Sequence, residues 1–122
     1  MSFENYYKNF YNNLYDEIVE KLEEHNKNIN DIVWVGTRNY KIDKTKFLED
    51  AKKLYYDDGY GLSVINEDLL IVGKGWYLER WEYDGSEGFR YISLIEEPKE
   101  TREYSRDFIV RETYIRDYKW EN

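Results

Sequence analysis

Apolar side chains recur three and four residues apart through the first part of the chain: Phe3, Tyr6, Tyr7, Phe10, Tyr11, Leu14, Tyr15, Ile18, Val19 and Leu22. That spacing lines one face of an α-helix and predicts a long helix over residues 3 to about 26. Ser2 is placed to cap its start, and Asn26, Asn28 and Asn30 break it. Its face is nearly all aromatic in the N-terminal half. Such a face packs on a sheet or leaves a tyrosine edge for a partner.

The period then changes. Asp31 to Gly36 is a short β-rich run, Thr37 to Asn39 turns, and Tyr40 to Ile42 returns. Asp43 predicts the N-cap of a second helix over about 44–56, with Phe47, Leu48, Ala51, Leu54 and Tyr55 inward and Gly59 as a left-handed cap beyond it. Leu62 to Ile65 reads as a strand, Asn66 to Asp68 as a turn, and Leu69 to Val72 as a central strand. Gly73-Lys74-Gly75 predicts a tight turn into a long aromatic strand, Trp76 to Tyr83. Asp84-Gly85 is a strong hairpin signal, and Gly88 to Leu94 runs back. Alternation puts Trp76, Leu78 and Arg80 on one face of the long strand, and Tyr77, Glu79, Trp81 and Tyr83 on the other. Apolar groups on both faces predict a strand covered on each side. The tail, 95–122, is a charged segment in which Phe108-Ile109-Val110 and Tyr114-Ile115 are apolar enough for a strand pair or a short helix. The predicted architecture is one α+β domain over 1–122: the helix 3–26, a helix plus β-meander core over 31–94, and an antiparallel sheet of about four to six strands.

Charge narrows the possible partners. There are 26 acidic against 18 basic residues, a net charge of -8, which disfavours direct contact with a phosphate backbone and favours a basic protein surface. Since 41% of the residues are hydrophobic, a core is affordable despite the charge, and global disorder is not expected. There is no cysteine, hence no disulfide framework or thiol nucleophile, and a reducing cytoplasm is the expected compartment. The opening residues do not read as a secretory leader, and no apolar run approaches the ~20 residues that span a bilayer. With one Ala, one Pro and many Asn, Lys, Tyr and Ile, the composition suggests an AT-rich source such as a low-GC bacterium, its phage or a mobile element.

Catalytic equipment is sparse. His25, the lone histidine, sits near the end of the first predicted helix, where the dipole favours an imidazolium. Asp57, Asp58, Glu67 and Asp68 would hold a hard cation only if their loops met, and their spacing is not that of a calcium loop; turn and cap roles fit them better. Gly59-Tyr60-Gly61 and Gly73-Lys74-Gly75 lack the spacing of a phosphate loop. No carboxylate pair is singled out for glycosidic chemistry. The expectation is therefore no catalytic residue, no metal, no cofactor and no enzyme activity.

Leu69-Leu70-Ile71-Val72-Gly73, then Trp76-Tyr77-Leu78-Glu79-Arg80, then Glu82-Tyr83-Asp84-Gly85-Ser86-Glu87 resembles a pattern of small acidic phage and prophage proteins of the anti-CRISPR type. The likeness covers about residues 31–94; where that pattern has two aromatics after the Ser-Glu step, this chain has Gly88-Phe89. The resemblance implies a stoichiometric inhibitor in the host cytoplasm that blocks the basic nucleic-acid-binding surface of a defence effector, for instance a CRISPR effector. Carboxylates would then compete for a channel that reads backbone charge. The expected contact residues are Glu82, Asp84 and Glu87 at the hairpin, Asp57, Asp58, Glu67 and Asp68 on neighbouring loops, and Glu96 and Glu97 on the connector. Two alternatives stay open: a phage structural or assembly protein that self-associates, and a small hydrolase using two carboxylates.

Overall fold

A computed structural model describes residues 11–57, 59, 62–95, 97–109 and 119–120. Among the described residues the fold is α+β, with two helices and antiparallel sheets of five and two strands. The five-stranded sheet is built from β2 (Ile32–Gly36), β3 (Lys41–Ile42), β5 (Leu70–Gly73), β6 (Trp76–Tyr83) and β7 (Ser86–Ser93), in the order β3-β2-β5-β6-β7. A small ribbon pairs β1 (Asn12–Asn13) with β4 (Tyr55–Tyr56).

The first helix among the described residues, α1, runs Leu14–Glu23, and residues 11–13, which the apolar period includes, are not part of it. Asn12 and Asn13 are extended and pair with Tyr56 and Tyr55. The Asn13 side chain accepts from the Asp16 amide, which makes it the N-cap, and it also donates to the Lys52 carbonyl at 2.9 Å. A helix start fixed by both a cap and a strand pair overrides the apolar pattern that runs through Tyr11. The proposed cap Ser2 and positions 3–10 of the predicted helix lie outside the described residues. At the other end Asn26 takes a left-handed φ of 58°, and Asn28 starts a capping box with Asp31.

The second helix, α2, spans Lys44–Ala51 and is capped by Asp43, as the sequence indicates, but stops well short of residue 56. Tyr55 and Tyr56 leave it for the ribbon with β1, so Gly59 is not its cap.

The hairpins follow the sequence closely. Leu70–Gly73 and Trp76–Tyr83 pair across Lys74-Gly75, where Gly75 has a φ of 82°. Asp84 (φ 50°) and Gly85 (φ 85°) form a two-residue turn of the primed kind, whose twist suits a hairpin. The register then sets Glu82 opposite Glu87 and Arg80 opposite Phe89.

One face of the sheet carries the core. Leu14, Ile18 and Leu22 of α1 pack with Ile32, Val35, Ile71, Leu78 and Phe89. Ile32 and Val35 both face inward because a bulge between Ile32 and Trp34 adds one residue, leaving Val33 61% exposed. On the other face Trp34, Val72, Tyr77 and Ile92 form a half-buried cross-strand row. The long strand thus has buried side chains on one face and half-buried ones on the other. A correction concerns Leu62 to Ile65, which pairs with no strand of the sheet. In the tail, Ser105 caps a short 3-10 turn over Arg106–Phe108, and Phe108 is exposed. Val110, Tyr114 and Ile115 lie outside the described residues.

Candidate functional site: a buried arginine and two flanking clefts

The unpaired stretch at 62–65 leads to the most unusual chemistry in the molecule. Its amides need acceptors once they leave water, and a side chain supplies them. The Glu87 carboxylate accepts from the Val64 amide at 2.8 Å and from the Ile65 amide at 3.1 Å. Glu87 sits on β7 next to the hairpin turn, facing the core side, and its side chain is 3% exposed.

Arg80 compensates that buried charge. Its guanidinium is also 3% exposed and meets Glu87 at 2.9 Å and Glu17 of α1 at 3.1 Å. It also donates to the Tyr56 hydroxyl at 3.2 Å and lies 4.4 Å from the centre of the Phe89 ring. Tyr56 in turn donates to Glu17. One cation thus joins α1, β4, β6 and β7, and through Glu87 the 62–65 segment. Burial opposes the charge on Arg80, but Tyr56, Glu17 and Glu87 together hold its ionisation above the ordinary arginine range.

Tyr56 shows the reverse balance. Burial, then the hydrogen bond to Glu17, push its phenol well above the usual tyrosine range, with Arg80 pulling the other way. The folded chain therefore keeps a proton that the unfolded chain gives up near pH ~10. That stability is complete below pH ~10 and is lost as pH rises toward the folded-state value. Urea unfolding measured from about pH 9 to 11 should show Tyr56→Phe with a shallower alkaline decline than the parent. An identical decline in both would disprove the coupling.

Two clefts flank this network. The larger, about 500 Å³, runs between α1 and the β6–β7 hairpin and is lined by Asp16, Glu17, Glu20 and Glu24 with Trp81 and Phe89. The smaller, about 200 Å³, separates the 62–68 segment from the hairpin, lined by Ser63, Ile65 and Glu67 on one side and Arg80, Trp81, Glu82 and Glu87 on the other. Trp81 borders both and is half-buried. Its indole lies over Gly88, directly across the ladder, and donates to the Phe89 carbonyl at 3.2 Å.

The contact residues expected from sequence divide accordingly. Glu67 and Glu82 are exposed and come together on the smaller cleft. Asp84 is exposed at the hairpin tip, and Glu82 braces that turn by accepting from the Gly85 amide. Asp68 and Glu97 are exposed; so is Asp57, which accepts from the Gly59 amide. Glu87 must be corrected: it is a buried ion-pair partner and not part of an exposed acidic tip. Asp58 and Glu96 lie outside the described residues. Glu17, Tyr56 and the acids of α1 were not among the expected residues. The signal for Arg80 was present, since alternation sets this charged side chain on the same face as Trp76 and Leu78.

His25 is exposed and stacks on Tyr91 at 3.8 Å, with Trp76 beyond it at 5.6 Å. Among the described residues, no group of three or more acids and histidines could hold a metal ion, and no helix is long and apolar enough to cross a membrane. No family model matches the chain, and neither a curated protein nor a solved structure shows significant similarity to it.

Proposed function

We infer that this chain is a protein-binding module whose acidic face engages a basic surface of its partner. The observation that carries this is the surround of Trp81. Trp81 borders two clefts that carry carboxylates: Asp16, Glu20 and Glu24 along α1 in the larger, and Glu67 and Glu82 in the smaller. A central aromatic with a polar rim is the usual anatomy of a contact surface, and the acids speed encounter with a cationic partner. The net charge of -8 points to the same kind of partner.

The narrower reading is a non-enzymatic, phage-encoded, anti-CRISPR-like inhibitor that covers the nucleic-acid channel of a defence effector in the host cytoplasm. It rests on the resemblance over residues 31–94 and on the acid excess. The variant Glu67→Lys, Glu82→Lys and Asp84→Lys changes exposed side chains; its fold should be kept, with a lower melting temperature because Glu82 no longer accepts from Gly85 and Asp84 holds a left-handed φ. Tagged parent protein should capture one nucleic-acid-handling effector from a CRISPR-bearing lysate in a salt-sensitive way, and the triple variant should capture about tenfold less, the loss expected when several rim charges are reversed. Equal capture by the two proteins would sink this placement of the surface.

One observation favours a second reading. Glu17 and Glu87 both line the larger cleft, as a two-carboxylate hydrolase would require. Both, however, are ion-paired with Arg80, and Glu87 also accepts two backbone amides. A carboxylate accepting three donors is poorly placed to carry a proton to a substrate, so binding is the better reading.

A further inference from the structure

We propose that residues 62–65 form a strap that opens and closes as a unit on the Glu87 carboxylate while the sheet stays folded. Among the described residues, the hydrogen bonds that tie the strap to the rest of the molecule are the two from Val64 and Ile65 to Glu87, across 23 and 22 positions of sequence. The next turn is satisfied within itself: the Asp68 amide donates to the Asn66 side chain and the Leu69 amide to the Asn66 carbonyl. The strap therefore has local closure at one end and a single carboxylate latch in its middle.

The packing is equally one-sided. Ile65 is buried at 7% exposure, but Leu62 is 93% and Val64 55% exposed. The smaller cleft already lies along the seam between strap and hairpin. Moving the strap off therefore withdraws one apolar side chain and breaks two amide-to-carboxylate hydrogen bonds, and no ladder pairing is lost. Elements held this lightly open locally at far lower free energy than a sheet.

Opening changes what the surface offers. Closed, the strap occupies Glu87; open, it leaves that carboxylate beside Glu67 and Glu82 on the same cleft. Arg80 stays paired with Glu87, so what opening frees for a cationic partner are the acceptor sites that the Val64 and Ile65 amides filled. That consequence rests on the binding function inferred above, whereas the opening itself does not.

Native-state hydrogen exchange on the whole chain tests the opening without a partner. The Val64 and Ile65 amides should exchange about tenfold to a hundredfold slower than free loop amides, the protection that a hydrogen bond to a charged group contributes. They should still exchange much faster than the amides of β5 and β6, and with little dependence on low denaturant. In Glu87→Gln, which removes the charge and one acceptor oxygen, their protection should fall by about tenfold through the same local opening, while β5 and β6 lose protection separately, with the global stability, because Arg80 loses a buried partner. If that variant fails to fold, the denaturant dependence of the parent decides alone. Exchange of Val64 and Ile65 at the unprotected rate, or only together with the sheet, would overturn the proposal.

Discussion

Arg80→Ala lowers the unfolding free energy by about 3–5 kcal/mol, the loss typical when one partner of a buried ion pair is removed. The guanidinium and the Glu87 carboxylate are each 3% exposed, and Glu17 is 19% exposed. Without the cation, two carboxylates face each other across a space that water reaches poorly. The Phe89 ring loses its cation, and Tyr56 loses one of its two hydrogen-bond partners. Most of the loss comes from buried negative charge that Arg80 no longer offsets and not from the missing contact. Arg80→Met combined with Glu17→Gln and Glu87→Gln should therefore recover part of it. Denaturant unfolding measures both, and a loss below about 1 kcal/mol for Arg80→Ala would place the site in the weak, solvent-screened class of surface pairs.

Trp76→Ala is the second large effect, again about 3–5 kcal/mol, the usual range for truncating a buried tryptophan. Trp76 is 3% exposed. Its ring fills the place that a side chain at Gly73, its cross-strand neighbour, would need, and its other side stacks on Tyr91. Neither neighbour can collapse into the space: Gly73 has no side chain, and Tyr91 is held by His25 on its far face. The cavity should persist, which places the cost at the upper part of the range. Loss of tertiary dichroism from the aromatic stack, together with a lower denaturation midpoint, is the expected result. A midpoint within error of the parent would show that the sheet repacks freely.

Legibility in the sequence followed the range of the interactions. The β6–β7 hairpin was plain because Asp84-Gly85 fixes a two-residue turn locally, and Asp43 declared its helix for the same reason. The inward position of Arg80 was readable from alternation. From the turn alone the register follows, and it sets Glu87 on the face of Arg80, two positions from Phe89; counting across the turn would have moved Glu87 from the exposed tip to the core. The 62–65 segment misled because Leu62, Val64 and Ile65 suit a strand, while the acceptor that satisfies its amides lies more than twenty residues away. The start of α1 misled similarly. Tyr11 continues the helical period, but Asn13 is committed to a cap and to the 52–54 turn, contacts 39 and 41 positions distant. Glu17 was hidden among the solvated acids of α1, since only the tertiary fold points it at Arg80.

On the proposed function, a basic macromolecular surface is what this chain recognises. The most direct measurement is competition: purified nucleic-acid-loaded and nucleic-acid-free forms of a captured effector, titrated with this protein at low and high salt. The expected result is tight binding to the free effector, weakened by salt and blocked when the effector's channel is already occupied. Equal binding to both forms with no salt dependence would contradict it.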